Sequence, residues 1–155
     1  MEYKKLFVYL SLSFLISCAE EIDPKVAFEK GEVPVGAVIV IENRIIARAH
    51  NLTETLNDVT AHAEMQAITA AANFLGGKYL INCSLYVTIE PCQMCAGALY
   101  WSQISRIVYG ARDEERGCIT MGTKLHPKTQ LKGGIMAKEA SELLKRFFIE
   151  KRNLN

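Results

Sequence analysis

Ser84-Leu85-Tyr86-Val87-Thr88-Ile89-Glu90-Pro91-Cys92-Gln93-Met94-Cys95-Ala96-Gly97-Ala98 is the stretch on which the reading of the fold turns. Its first six residues are mostly apolar, β-branched or aromatic, and they predict a strand. Pro91 ends that strand and helps to start a helix from Cys92 to about Ser102. The elements around it continue the alternation of strand and helix. Upstream, Gly36 to Ile41 and Ile45 to Ala49 are apolar runs, and the short polar Glu42-Asn43-Arg44 between them predicts a β-hairpin. Asn51 to Thr60 is a polar loop. Thr60 is placed to cap a helix from about Ala61 that carries Met65, Ile68, Ala71, Ala72 and Leu75 at helical spacing and stops at Gly76-Gly77. Downstream, Arg106 to Tyr109 is a strand ended by Gly110, and residues 111–128 are irregular. Thr129 to Ile135 holds a short fifth strand. Ala137 to about Arg152 is an amphipathic helix with Leu143, Leu144, Phe147 and Phe148 on its apolar side. The expected architecture is a three-layer α/β/α domain around a central mixed five-stranded sheet.

The chain has 155 residues, 50% hydrophobic and 23% charged. That is one domain of ordinary globular composition, which excludes a disordered chain and a bundle of membrane helices. A domain of this size buries roughly 70% of its unfolded surface and needs no staples. The net charge is only +1, but residues 124–155 hold 8 Lys/Arg against 3 Asp/Glu. A basic C-terminal quarter on an acidic body favours a polyanionic ligand. The five cysteines have no regular framework of spacings, so disulfide scaffolding is a poor reading. Cys83 and Cys118 read as small buried hydrophobes.

The first 24 residues read differently from the rest. Lys4 and Lys5 precede an apolar run from Leu6 to Ile16, and Leu15-Ile16-Ser17-Cys18 is followed by Ala19 and two glutamates. This is the layout of a secretory signal peptide, and it resembles a bacterial lipoprotein leader in which Cys18 would be lipidated. The run is too short to span a bilayer comfortably. The division expected is a leader-like segment, residues 1–24, ahead of a domain of residues 25–155. The competing expectation is that the apolar run packs into the domain.

One constellation carries chemistry: His62-Ala63-Glu64 and, after 26 intervening residues, Pro91-Cys92-Gln93-Met94-Cys95. Cys92 and Cys95 are three apart at a helix start, so their sulfurs point the same way. The positive end of a helix favours the thiolate. His62 stands at the start of another helix. Three such ligands suit tetrahedral zinc and leave a fourth position open for water, the pattern of a catalytic site. Glu64 is two residues from His62 and does not share its helix face, so it reaches the site from another angle and serves as the proton shuttle, not as a ligand. H-x-E with P-C-x-x-C is the signature of zinc-dependent nucleobase deaminases.

The likeness extends beyond that signature. Gly31-Glu32-Val33-Pro34-Val35-Gly36-Ala37-Val38, Asp58-Val59-Thr60-Ala61-His62-Ala63-Glu64, Leu85 to Ala98, and Tyr109-Gly110-Ala111-Arg112-Asp113 resemble the bacterial tRNA-specific adenosine deaminases, members of the cytidine and deoxycytidylate deaminase superfamily. The resemblance covers roughly residues 25–153. It implies a cytidine deaminase-like fold and one Zn2+ per subunit held by His62, Cys92 and Cys95. It further implies Glu64 as the proton shuttle for attack by zinc-bound hydroxide, Asn51 as a group bonding the flipped purine, and Asp113 beside the bound anticodon loop. The implied reaction converts the wobble adenosine of a tRNA anticodon stem-loop to inosine, by a homodimer in the cytoplasm. The chain departs from the family at its start, where Pro24, a helix breaker, and Glu20-Glu21 stand in place of an amphipathic helix. Two other readings stay open on the residues alone. One is a deaminase of a free base or nucleoside, of guanine or cytidine type. The other is non-enzymatic: a zinc-stabilised lipoprotein anchored in a membrane through Cys18.

Overall fold

The computed structural model describes residues 24–154. The leader-like segment with Cys18 lies outside the described residues, save Pro24. That residue is helical, in α1 (Pro24–Glu29). Proline is tolerated in the first turn of a helix, where its missing N–H leaves no bond unmade.

The strands are β1 (Gly36–Ile41), β2 (Arg44–His50), β3 (Ser84–Ile89), β4 (Arg106–Ala111) and β5 (Gln130–Lys132). They form one sheet in the order β2-β1-β3-β4-β5. β1 is antiparallel to β2 and β3, whereas β3–β4 and β4–β5 are parallel, so the sheet is mixed as expected. The β1–β2 hairpin turns on two residues only. Glu42 and Asn43 both take positive φ, at 47° and 62°, the signature of a type I′ turn. Arg44 consequently pairs with Ile41 inside the ladder and does not belong to the loop. β4 runs two residues past Tyr109, because Ala111 still pairs with Ile89 and its carbonyl accepts from the Glu90 N–H.

Helices α2 (Ala63–Leu75) and α3 (Gln93–Trp101) cover one face of the sheet. Ala63, Ala67, Ala71 and Leu99 meet Ala37, Ile39, Leu85, Val87 and Ile107 there, all buried. The small alanines let α2 lie close to the strands. Alternate strand residues Val38, Val40, Tyr86 and Val108 face the other way, toward Ile135 and Met136 at the start of α4 (Ala137–Asn153). Period-two burial on both faces is what a sheet between two helical layers requires. α2 ends as expected: Gly76 is left-handed at φ 65°, and Gly77 N–H returns to the Ala72 carbonyl at 3.0 Å in a Schellman motif.

Two further sequence expectations are corrected. α2 begins at Ala63 with His62 as its N-cap, not at Ala61 with Thr60. The Thr60 hydroxyl and N–H are both committed to Asp58 Oδ1, each at 2.8 Å, in a turn that precedes the helix. On α4 only Phe147 is buried, and Phe148 is 49% exposed. Among the described residues no helix is long and apolar enough to cross a membrane.

Candidate active site

The strand ends and helix starts of the sheet's central crossing bring the chemistry together. His62 caps α2 in extended conformation (φ −68°, ψ 153°), and Cys92 caps α3 likewise (φ −70°, ψ 174°). Cys95 follows one turn into α3. The two helices pack side by side, so their N-termini face the same point. His62 Nδ1 lies 3.7 Å from Cys92 Sγ and 3.5 Å from Cys95 Sγ. The three donor atoms all lie within 4.8 Å of one another.

These distances test whether a metal fits. A tetrahedral zinc about 2.3 Å from sulfur and about 2.0–2.1 Å from nitrogen sets an N ligand and an S ligand roughly 3.6 Å apart. The observed separations bracket that value, so the cluster already has the spacing of a ligand set. Its members differ in how readily they give up a proton. The Cys95 thiol donates to Cys92 and, with His62, holds the Cys92 thiol down at about 4. The same contact with Cys92, together with burial, pushes Cys95 far up. The His62 imidazole is raised by its bond to Cys92.

Glu64, in the first turn of α2, is 2% exposed. Burial pushes its carboxyl up from 4.5 to about 7, and the Cys92 thiolate adds to this while His62 opposes it. The carboxyl meets the Cys95 thiol, so it stands beside the cluster and not in the ligand set.

His62, Cys92 and Glu64 open onto a cavity of about 610 Å³, with Cys95 buried behind them. Asn51 and Asp113, both expected at the substrate, line it with His62, Glu64 and Cys92. Asn51 directly follows β2 and is buried; Asp113 follows β4 and is half-buried. Asp113 Oδ1 accepts from the N–H groups of Glu115 and Arg116 at 3.0 and 2.9 Å, which folds the loop back into a turn. Sequence reasoning missed the walls. Val33, Val35 and Ile89 line the cavity from the sheet side, and Leu144 and Phe148 line it from α4.

It also missed two buried glutamates. Glu90 is 1% exposed; its Oε1 accepts from Ile119 N–H at 2.7 Å and its Oε2 from Asp113 N–H at 3.3 Å. Arg112 lies 3.9 Å from the same Oε2. Gly117 packs on this carboxylate, where a Cβ would come within 2.5 Å of Glu90 Cδ. Glu32 does the equivalent for the loop after β2. A signal was present for Glu90: a carboxylate set between an apolar strand and a proline must be bonded if it is buried.

Comparison with known proteins agrees with this geometry. The family model described as the cytidine and deoxycytidylate deaminase zinc-binding region matches residues 11–111. The chain is 47% identical over 136 residues to a protein of Aquifex aeolicus named tRNA-specific adenosine deaminase, covering 84% of this chain and 90% of that one. It is 42% identical over 137 residues to a protein of the same name from Agrobacterium fabrum, again covering 84% and 90%. A solved structure from a study of A-to-I editing by tRNA deaminases at the wobble position of transfer RNA superposes with a TM-score of 0.74 at 41% identity, covering 79% of this chain and 93% of that one. The structure of a guanine deaminase from Bacillus subtilis superposes at 0.60 with 33% identity, covering 80% and 72%. The chain belongs to the zinc-binding cytidine and deoxycytidylate deaminase family and, within it, to the tRNA-specific adenosine deaminases.

Proposed function

We propose that this chain hydrolyses the 6-amino group of the wobble adenosine in a tRNA anticodon loop, leaving inosine and releasing ammonia. The observation that carries the reading is a three-donor metal cluster with a buried glutamate beside it, opening through His62, Cys92 and Glu64 onto one cavity. The relatives above, alike over more than four-fifths of the chain, supply the substrate. His62, Cys92 and Cys95 hold zinc, one ion per chain. When bound, the ion supplies Lewis acidity, which makes water nucleophilic at neutral pH. Glu64 moves the protons. Buried beside the cluster, its carboxylate takes a proton from water, passes it to the ring nitrogen N1, and as the acid protonates the departing amine. Asn51 bonds the purine, and Asp113 stands where the anticodon loop enters. The apolar walls Val33, Val35 and Ile89 receive the flat base and exclude water from it.

The working form we propose is a homodimer, supported by large apolar residues left in solvent. Trp101 at the end of α3 is 77% exposed, Val59 is 83% exposed and Met121 is 48% exposed. Such exposure is what a partner surface would cover. We place the reaction in the cytoplasm, where tRNA is; a lipid anchor at Cys18 would carry the enzyme away from its substrate.

The likeness to a guanine deaminase makes substrate choice the decisive test. Zinc-loaded protein is given an anticodon stem-loop with wobble adenosine, free guanine and free cytidine side by side. Turnover of the stem-loop alone is expected. Turnover of guanine or cytidine with none of the stem-loop would overturn the reading in favour of a free-base enzyme. Bound zinc without turnover of any of the three would leave a structural role.

A further inference from the structure

Glu32, in the Gly31-Glu32-Val33-Pro34 segment between α1 and β1, takes no part in the chemistry above, yet it is 0% exposed. Its partners are donors of the loop that carries Asn51. Oε1 accepts from Thr55 N–H at 2.7 Å. Oε2 accepts from Glu54 N–H and Asn51 Nδ2 at 3.2 Å and from the Thr53 hydroxyl at 3.3 Å. Burial alone would raise the carboxyl, but the bonds from Thr55, Glu54 and Thr53 together hold it below its ordinary value. It is therefore ionised at neutral pH, and an ionised carboxylate only accepts. This fixes the Asn51 amide: its NH2 must face Glu32. The second amide hydrogen goes to Thr53 Oγ1, at 2.9 Å. The side chain that lines the cavity is thus held at its nitrogen by two partners that are themselves bonded to each other.

We propose that Glu32 is a positioning residue for the deamination, fixing the amide of Asn51 in the geometry that receives the base. The inference rests on the reading of Asn51 as a base-contacting residue. Glu32→Gln keeps the volume and puts an NH2 among donors. Its effect should run through Asn51, which a double-mutant cycle isolates. The zinc-loaded native protein, Glu32→Gln, Asn51→Ala and the double variant are compared for kcat/KM on the anticodon stem-loop, with zinc content measured for each. Each single change is expected to lower kcat/KM by roughly tenfold. Adding Glu32→Gln to Asn51→Ala is expected to change it by less than about twofold, at unchanged zinc content. Thr53→Val removes one partner of the same amide and serves where Glu32→Gln fails to fold. A smaller loss is expected from it, again absent beside Asn51→Ala. If either change multiplies in full with Asn51→Ala, Glu32 does not act through Asn51 and the proposal falls, while the reading of Asn51 stands. An Asn51→Ala protein with native kcat/KM would remove that reading, and the proposal with it.

Discussion

Glu64 is 2% exposed and stands beside the metal cluster, whereas Glu90, equally buried in the cavity lining, is taken up by the N–H groups of Asp113 and Ile119, and Glu114 and Glu115 lie in solvent. Because the carboxyl stands beside the metal cluster and outside it, Glu64→Gln should keep zinc and lose the reaction. A loss of at least 10²–10⁴-fold in kcat is expected for a proton shuttle, roughly the full range of such effects. Substantial activity in the zinc-loaded variant, or loss of its zinc, would contradict that role. The cluster makes a second demand. Metal needs both thiolates and a neutral imidazole, but without it only Cys92 is deprotonated readily, Cys95 holds its proton and His62 is raised toward its charged form. Binding must therefore release protons, and affinity must rise with pH. Competition with a chelator across pH 6–8 should give log affinity climbing by about one unit per pH unit or more, since at least the Cys95 proton leaves. A flat dependence would mean the site is already deprotonated. At this scale the cluster was legible in the sequence because it is built from two short motifs, His62-x-Glu64 and Cys92-x-x-Cys95, which the fold joins across 30 residues. Glu32 and Glu90 were not, because their donors lie 19–29 residues away and only the folded loops bring them together.

The elements that carry the site were legible where periodicity was strong and blurred where side chains compete for the backbone. β1, β3 and α2 fall where the apolar pattern puts them. The start of α2 was misread because Thr60, a good cap by residue type, is drawn into a turn by Asp58. The irregular stretch after β4 carried no periodic signal, since its order comes from local turns and from two carboxylates, Asp113 and the buried Glu90, that collect backbone N–H groups. Glu90 collects the N–H groups of Asp113 and Ile119, and the backbone of Gly117 bridges to Cys92. Gly117→Ala would push a methyl to 2.5 Å from both the Asp113 carbonyl and Glu90 Cδ. Overpacking of this kind costs about 1–3 kcal/mol, and each kcal/mol lowers Tm by roughly 2–4 °C in a domain of this size. A melting curve for the variant is expected to show that fall, together with weakened stem-loop binding as the Asp113 turn loosens. An unchanged Tm would mean that the loop yields without strain.

For the whole molecule, the sequence made the charge asymmetry visible but not its disposition. Of the four basic residues late in α4, Arg146 lies over the Phe28 ring at 4.6 Å and pairs with Glu150 at 3.5 Å, and Lys151 lies 5.7 Å from the Phe147 ring centre. Arg146 helps to fasten α4 to α1, whereas the Lys151 contact stays within α4. Lys145 and Arg152, both exposed, are the pair to examine for RNA. Replacing both with Gln is expected to reduce the slope of log affinity against log salt by about 0.7 for each phosphate that is no longer neutralised, up to roughly 1.4. Deamination at saturating RNA should be little affected. An identical slope would make them an ordinary solvated helix face. The three-layer plan around a mixed sheet was legible as a whole, because each amphipathic segment has one place to bury its apolar side. The cavity was not, because Leu144 and Phe148 reach it from the C-terminal helix, far along the chain from the metal ligands.

The most direct measurement is a titration of zinc into metal-free protein, with inosine mapped by position in an anticodon stem-loop. Inosine is expected at the wobble adenosine alone, at a rate that rises with zinc and saturates at one ion per chain. No inosine at full zinc occupancy, or a rate indifferent to zinc, would contradict the assignment of His62, Cys92, Cys95 and Glu64 to this reaction.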